Sequence, residues 1–420
     1  MRVVCIGQVW PEPTSSAAGS RLLQLLHSFR AQGWRVTFAC AAERTEHSAD
    51  LTAQGINELP IALNCSSFNT QLAEWQPDLV LFDRYLSEEQ FGWRVARTCP
   101  DAMRVLDTED LHSLRYARER LLKQQSGDEP VNADAEALYG AMANDDIALR
   151  EVAAIYRSDM SLMISEAEMA LLQETFGVPA SLLHYIPFMV EPEALSTSPG
   201  FAEREHFVTI GNFRHGPNWD AVRWLKSDLW PALRARVPGA QLHIYGAYVA
   251  PKATQLHNPG QGFHVCGRAV SVEAVMGRAR VCLAPLRFGA GLKGKLLDAL
   301  RTQTPSVTTA IGAEGMAGSQ SWPGALANTA ADFAEAAAAL YTDAARWQTA
   351  RARCLPLLRE RFDAGVHRTA LIERLCAVRT HLREHRQRNF TGALLNHHHH
   401  KSTQYMSQWI EAKQRLRNPE

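Results

Sequence analysis

Residues 288–300 have the sequence FGAGLKGKLLDAL and follow the apolar run RVCLAPL at 280–286. Glycines let the backbone approach a ligand closely, and the start of the following helix offers unpaired N–H groups and a positive dipole end. Lys293 and Lys295 add two cations beside that helix start. The stretch therefore predicts a site for an anion, most often a phosphate. The alternative is a tight strand-to-helix turn whose lysines face water.

The composition limits the classes of protein that this chain can represent. A length of 420 residues predicts two domains of ordinary size or three small ones. The formal net charge is zero, so no overall electrostatic attraction favours nucleic acid, and we expect no such partner. The eight cysteines form no C-x-x-C pair and no metal-ligand spacing, which is typical of reduced cytosolic thiols.

No targeting or membrane-spanning segment is apparent in the sequence. The start, MRVVCIGQVWPEP, has too short an apolar run for a signal peptide. No stretch reaches about eighteen apolar residues, the length that a membrane span needs. We therefore expect a cytoplasmic protein, with contact at a membrane surface left open.

The first half alternates apolar runs with amphipathic helical stretches. The predicted strands are RVVCIG, WRVTFACA, PDLVLFD, AMRVLDTE and SDMSLMIS, and AGSRLLQLLHSFRAQG is a predicted helix with an apolar stripe. Ser165 and Glu168 have the spacing of a capping box, in which the glutamate reaches back to the cap. This alternation favours a parallel sheet with helices on both faces.

The pattern breaks near residue 190 and then restarts. The segment 191–205 is rich in Pro, Ser and charge and is predicted to be a linker. Five further strands follow: HFVTIG, AQLHIYG, GFHVCG, RVCLAPL and TPSVTTAIG. The predicted fold class is therefore α/β, with two Rossmann-like domains in series at 1–190 and 206–370 and an active site in the cleft between them. Ligands in such sheets lie beyond the carboxyl ends of the strands, where FGAGLKGK begins, and this strengthens the anion-site prediction.

The C-terminal extension, 371–420, carries two unusual stretches. The basic stretch Arg379–Arg388 is predicted to be a solvated helix face, with membrane-surface contact as the alternative. The run His397–His400 is either a metal site or a cloning scar, although twenty residues follow it and no cysteine or acidic partner is near. We expect no metal there, and the role of the run stays open.

The second half resembles the donor domain of the GT-B glycosyltransferases, in the large retaining family usually numbered four (glycosyl transferases group 1). The resemblance rests on VTIGNFRHGPNWDAVRWLKSDLWPALRARVPGAQLHIYG and on GFHVCGRAVSVEAVMGRARVCLAPLRFGAGLKGKLLDALRTQTPSVTTAIGAEGM. The first half is similar more loosely, in GQVWPEPTSSAAGSRLLQLL and VLDTEDLHSLR. The similarity covers roughly residues 1–375 and is strongest in 205–316.

The resemblance implies a site for a nucleotide-diphosphate-sugar. The second of the family's two motif glutamates, which holds the ribose hydroxyls, corresponds to Asp298, while the first, which contacts the donor sugar, corresponds to Ala290 and is missing. The Arg and Lys that usually follow the first glycine of the domain are also absent. The residues that then remain for the diphosphate and its surroundings are Gly211, Arg214, Arg268, Gly289, Gly291, Leu292, Lys293 and Lys295.

Several first-half and loop residues are candidates for contacts with sugar or acceptor. Gly19, in the segment SSAAGS, would let a ligand approach a helix N-terminus, although the segment could be a simple cap. Asp110 and His112 follow a strand end and are the candidate catalytic residues, the alternative being a loop held by an ion pair with Arg115. Glu314 follows TTAIGA and could touch the donor or hold a loop.

The predicted function is transfer of a sugar from a nucleotide-diphosphate-sugar to a carbohydrate or glycolipid acceptor, with retention and in polysaccharide or glycolipid assembly. No Asp-x-Asp pair occurs in the chain, so we expect no metal and no other cofactor. The alternatives are a nucleotide-sugar epimerase of the same fold and a non-catalytic sugar-nucleotide-binding protein, which the loss of a glutamate at Ala290 would permit. An NAD-dependent oxidoreductase is disfavoured because no G-x-G-x-x-G follows the first strand. The nucleotide, the sugar, the acceptor and the oligomeric state stay open.

Overall fold

Two parallel sheets lie in series along the chain in the computed structural model, which describes residues 1–125, 127, 129–191 and 198–417. The first sheet has seven strands in the order β3-β2-β1-β4-β5-β6-β7, and the second has six in the order β10-β9-β8-β11-β12-β13. Every pairing between these strands is parallel. The predicted pair of Rossmann-like sheets is therefore confirmed.

The strands of the first sheet are short and mostly buried, as expected for a sheet covered on both faces. They are β1 (Arg2–Gly7), β2 (Arg35–Cys40), β3 (Asn57–Pro60), β4 (Leu79–Asp83), β5 (Met103–Asp107), β6 (Met160–Met163) and β7 (Leu183–Tyr185). Its helices are α1 (Ala17–Ala31), α2 (Ser67–Trp75), α3 (Arg84–Thr98), α4 (His112–Gln124), α5 (Ala135–Met142), α6 (Asp146–Arg157) and α7 (Glu166–Ala170).

The second sheet contains one strand more than the sequence predicted. Its strands are β8 (Glu205–Ile210), β9 (Leu242–Tyr245), β10 (Phe263–Gly267), β11 (Ala279–Ala284), β12 (Ser306–Thr308) and β13 (Gly324–Leu326). Its helices are α8 (Gly216–Trp224), α9 (Trp230–Arg236), α10 (Pro251–Thr254), α11 (Val272–Arg278), α12 (Gly294–Arg301), α13 (Ala310–Ala313), α14 (Ala330–Thr342) and α15 (Ala344–Phe362). The unpredicted strands β3, β7 and β13 have three or four residues each and are too short to show a period.

The chain crosses between the domains at two adjacent points. Val190 N–H donates to Phe362 O at 2.7 Å, and Ala364 N–H donates to Val190 O at 3.1 Å. The outgoing and returning segments therefore lie side by side, with Asp363 capping the next helix by accepting the N–H of Val366. Within the predicted linker 191–205, residues 192–197 lie outside the part of the chain that the structure describes.

The C-terminal helices pack on the first domain. They are α16 (Ala364–Thr380), α17 (Leu382–Arg388) and α18 (Phe390–Arg417). Leu371, Leu375 and Val378 of α16 join the buried cluster beneath β1 and β2, and α18 packs against α3 and α6. The segment 364–417 is thus an integral layer of the first domain.

The basic stretch 379–388 is largely engaged by this packing. Arg386 donates to both carboxylate oxygens of Asp159 at 2.8 Å, and Arg379 donates to Asp78 at 2.7 Å. Arg386 also binds two backbone carbonyls of the loop before β5. The interpretation of this stretch as a solvated face is therefore wrong for Arg386, while Arg383 and Arg388 are exposed.

Candidate functional site

The glycine loop 288–293, between β11 and α12, lies directly against the first domain. Gly291 has φ 61°, and a Cβ built there would lie 2.8 Å from the Cβ of Asp110. A side chain is therefore excluded both by the left-handed backbone and by the opposite domain. Ala290 is buried in the apolar cluster of the first domain, which also contains Leu111 and Leu114. A glutamate at position 290 would place its charge in that cluster, which gives the departure at Ala290 a structural reason.

Two helix N-termini meet at this loop. A Cβ at Gly294, the first residue of α12, would lie 2.5 Å from the Cβ of Ala17, the first residue of α1. Gly19 in the first turn of α1 lies close to the backbone of Glu12, since a Cβ there would be 2.6 Å from Glu12 N. Ser16 caps this helix by accepting the N–H of Gly19 at 3.1 Å. The positive dipole ends of both helices therefore lie side by side, which favours an anion beside them.

Lys293, at the end of the loop, is buried, and Lys295, in the first turn of α12, is half-buried. The Nζ of Lys293 donates to Ala290 O at 2.9 Å and to Gly291 O at 2.5 Å. The Nζ of Lys295 donates to Asn218 Oδ1 at 2.8 Å. Burial lowers the pKa of each amine to about 8. Among the described residues, no carboxylate lies within ion-pair distance of either amine, so both retain capacity for an anion.

Glu168 connects the two domains at the loop. Its Oε1 accepts the N–H of Gly291 at 2.7 Å and the N–H of Leu111 at 3.1 Å. Burial, followed by the nearby charge of Asp110, raises the pKa of Glu168 to about 8. The predicted capping box is therefore wrong: Ser165 makes no side-chain cap bond, and Glu168 faces the cleft instead of the cap.

Arg118 on α4 makes a second connection that the sequence did not reveal. It donates to Gly289 O at 2.8 Å and to both carboxylate oxygens of Glu314, at 2.8 and 2.7 Å. Although burial opposes ionisation, the hydrogen bonds from Arg118 lower the pKa of Glu314. Arg118 is one of many arginines on predicted helices, and only the fold shows that it reaches the opposite domain.

Asp110 and His112 lie on the first-domain side of the same junction, where Asp110 contacts Gly291. Asp110 forms an ion pair with Arg115, and His112 Nε2 lies 3.5 Å from Asp110 Oδ1. Burial lowers the pKa of His112 to about 4, so the ring is neutral near pH 7. Burial opposes ionisation of Asp110, but Arg115, His112 and His215 together lower its pKa. His215 of the second domain belongs to the same group, and burial lowers its pKa to about 4.

The remaining predicted site residues surround this centre. A Cβ on Gly211 would meet the amide of Asn218 at 2.6 Å, so Gly211 lies beside the partner of Lys295. Asp298, one helical turn beyond Lys295, lies 3.8 Å from Arg301, and burial raises its pKa to about 7. Leu292 is buried with Ile164 in a cluster that joins the domains.

Arg214 and Arg268 lie at a separate contact between the domains. Arg214 stacks on Tyr248 at 3.8 Å from the ring centroid, and Tyr248 Oη donates to Glu12 at 2.7 Å. Arg268 donates to Thr14 Oγ1 at 2.6 Å. Both arginines are exposed.

The first domain also contains a buried cluster of charged side chains that was not predicted from the sequence. Arg21 donates to Asp107 Oδ1 at 2.5 Å and lies 3.6 Å from Glu109. Burial raises the pKa of Glu109 well above its usual range. Glu109 and Arg84 both have positive φ, 61° and 66°, at the ends of neighbouring strands. Strained backbone of this kind is concentrated at functional sites. It could not be predicted from the amino-acid sequence.

The described residues contain no group of three or more His, Cys, Asp or Glu side chains placed to hold a metal ion. In the histidine run, His397 and His398 are exposed on α18, whereas the side chains of His399 and His400 lie outside the described part of the structure. Within the described residues, no helix is long and apolar enough to cross a bilayer.

The two facing sheets, with a glycine loop and a helix start at their junction, define the GT-B class of glycosyltransferase folds. Residues 204–343, within the second domain, match the family model described as Glycosyl transferases group 1. This confirms the resemblance seen in the sequence. No curated protein matches the chain in sequence.

Solved structures share the fold at low sequence identity. Anabaena HepE, in complex with UDP and glucose, has a TM-score of 0.64 at 13% identity, covering 89% of this chain and 99% of its own. Sucrose-phosphate synthase from Thermosynechococcus elongatus has a TM-score of 0.64 at 17% identity, covering 90% and 100%. The lipopolysaccharide outer core galactosyltransferase WaaB has a TM-score of 0.58 at 14% identity, covering 90% and 99%.

Proposed function

We propose that this protein is a glycosyltransferase that takes a sugar from a nucleotide-diphosphate-sugar and transfers it to a hydroxyl group of an acceptor. The observation that carries the proposal is the junction of the glycine loop, the N-termini of α1 and α12, and the amines of Lys293 and Lys295. All of these stabilise negative charge, and the loop, α12 and both lysines lie within the residues that match Glycosyl transferases group 1, while α1 belongs to the first domain. HepE has been solved with UDP and with UDP-glucose, so uridine nucleotides are the first donors to test.

The leaving group explains why the site is cationic. Breaking the bond between sugar and phosphate builds negative charge on the departing diphosphate. Fixed cations and helix N–H groups stabilise that charge as it forms, without reorganising at the moment of reaction. Lys293 and Lys295, with protonated amines below about pH 8, supply the charge in this proposal. No metal is needed for this step, and we propose a metal-independent reaction.

The acceptor belongs on the first-domain wall in this proposal. His112 is neutral near pH 7, so it acts as a hydrogen-bond partner to sugar or acceptor hydroxyls rather than as a cation. Asp110 stays ionised and orients His112 and Arg115. Retention follows if the acceptor attacks on the face that the diphosphate leaves, and we propose this stereochemistry together with polysaccharide or glycolipid assembly as the setting.

A single set of assays tests the function against its alternatives. The purified protein is incubated with nucleotide-sugars, with and without saccharide and lipid-linked acceptors, in the presence and absence of EDTA. Transfer that depends on an acceptor and survives EDTA is expected. Epimerised donor without acceptor would indicate the epimerase, and binding without turnover would indicate a sugar-nucleotide-binding protein. Failure to bind any nucleoside diphosphate at millimolar concentration would exclude all three.

A further inference from the structure

The C-terminal helix α18 presents five large apolar side chains to solvent along one face. These residues fall on one face of the helix and have between 49% and 83% of their surface exposed: Leu394, Tyr405, Met406, Trp409 and Leu416. The face extends about 33 Å at the rise of an α-helix. A surface helix ordinarily turns its apolar stripe toward the core, so this orientation calls for another partner.

The contacts that attach α18 to the first domain include many polar ones. Ser407 is buried and accepts a hydrogen bond from Arg94 of α3 at 3.0 Å. Glu411 Oε1 accepts from Ser66 Oγ at 2.6 Å. Asn396 accepts from Arg104 at 3.4 Å. These bonds fix the rotation of the helix about its axis, so the apolar face is held outward rather than free to turn inward.

Basic side chains outnumber acidic ones on α18. The helix carries Lys401, Lys413, Arg415 and Arg417, and its sole acidic residue is Glu411, which faces the first domain. The Nζ of Lys413 lies 4.8 Å from the ring centroid of Trp409, so the cation covers the aromatic face. Aromatic rings with lysines beside them are typical of a membrane–water interface.

We propose that the outward face of α18 binds the surface of a membrane that contains anionic lipids. Its apolar side chains enter the boundary between headgroups and acyl chains, and Lys401, Lys413 and Arg417 contact the anionic headgroups, while Arg415 is paired with Glu411. A second copy of this chain fits the face less well, because pairing two such faces would bring the lysines of both copies together, and Glu411 is already paired with Arg415. The proposal goes beyond the proposed glycosyl transfer and does not rest on it, since binding is measured without donor or acceptor.

Sedimentation of the full chain with vesicles tests the proposal. We expect binding to vesicles of phosphatidylglycerol and phosphatidylcholine at low salt, weaker binding at high salt, and little binding to phosphatidylcholine alone. The double variant Tyr405→Ala/Trp409→Ala should lower partitioning roughly ten-fold or more, and Lys401→Glu/Lys413→Glu should do the same. The matched control, Tyr139→Ala, removes an exposed aromatic side chain of the first domain that lies off this face, and it should bind as the parent does.

Three outcomes would overturn the proposal. The first is no binding to anionic vesicles at low salt. The second is binding that both α18 double variants retain in full. The third is a dimer, detected by light scattering in the absence of vesicles, that dissociates when Trp409 is replaced. Thermal unfolding of each variant is measured alongside, and unchanged midpoints are expected because the replaced side chains are exposed.

Discussion

The carboxyl oxygen Oε1 of Glu168, in the first domain, accepts the backbone N–H of Gly291, in the second, at 2.7 Å. The same oxygen accepts the N–H of Leu111, so one buried side chain fixes the glycine loop against the first domain's wall. The other oxygen, Oε2, is buried and has no hydrogen-bond partner among the described residues. The loop that forms the proposed donor site is therefore positioned by a residue from the opposite domain.

Replacing Glu168 by Ala should weaken nucleoside-diphosphate binding roughly ten-fold, because two N–H groups lose a buried acceptor at about 1.5–3 kcal/mol. Glu168→Gln keeps the Oε1 acceptor and should stay within about three-fold of the parent. Isothermal titration calorimetry with UDP measures both variants.

Glu151 provides the matched control for this prediction. It is another buried carboxyl that accepts backbone N–H groups, those of His112 and Ser113, but both lie within the first domain. Glu151→Gln should leave UDP affinity near the parent's. Equal losses in Glu168→Ala and Glu168→Gln would show that the hydrogen bond to Gly291 is not what positions the loop.

Removing either loop lysine should weaken nucleoside-diphosphate binding roughly ten-fold or more, since each charge-assisted contact to phosphate contributes about 1.5–3 kcal/mol. The variants are Lys293→Ala and Lys295→Ala. The control is Lys252→Ala, which removes an exposed lysine that lies over Trp219.

The affinity of the parent for a nucleoside diphosphate should also fall as the pH rises through about 8, because burial lowers the pKa of both amines to that value and they lose their charge above it. Affinity that is flat from pH 7 to pH 9 would contradict this assignment.

The sequence was sufficient for the architecture but not for the way in which the domains meet. Strands with clear apolar runs, such as β1 and β11, were predicted because burial on both faces leaves a strong pattern. The glycine loop was predicted as a site because glycine, lysine and a helix start have local signatures. Glu168 was assigned to a local cap, since its spacing from Ser165 fits that motif, and its true partner Gly291 lies 123 residues away. No local pattern encodes such a contact.

The same limit applies to the C-terminal arginines. Arg386 was assigned to a solvated face because its neighbours in sequence are basic and polar. Its partner Asp159 lies 227 residues earlier, between α6 and β6, and only the return of the chain at Ala364 brings the two together. Local charge patterning predicts exposure well only where no distant element covers the helix.

Asp298→Ala should abolish the preference of the protein for a ribonucleotide over a deoxyribonucleotide. In the proposed site this carboxylate accepts the ribose hydroxyls, and UDP and dUDP differ in one of them. The parent should bind UDP more tightly than dUDP, and the variant should bind the two alike. Burial raises the pKa of Asp298 to about 7, so the discrimination should grow as the pH rises from 6 to 8 and the carboxyl ionises. A variant that still prefers UDP would remove Asp298 from the ribose site.

Acidification should destabilise the second domain through His206. Its ring stacks on His243 of the neighbouring strand at 4.0 Å between centroids. Burial, followed by the nearby charge of His243, lowers the pKa of His206 to about 4. The unfolded chain, with an ordinary histidine pKa of about 6.5, binds the proton more readily, so stability is lost as the pH falls from about 6.5 toward 4. His206→Asn removes the titrating ring and should reduce the drop in unfolding midpoint between pH 7 and pH 5, measured by circular dichroism. The control is His27→Asn, which replaces an exposed histidine of α1 and should show the same drop in unfolding midpoint as the parent. If His206→Asn also showed the same drop as the parent, the stacked pair would not be the cause of the acid destabilisation.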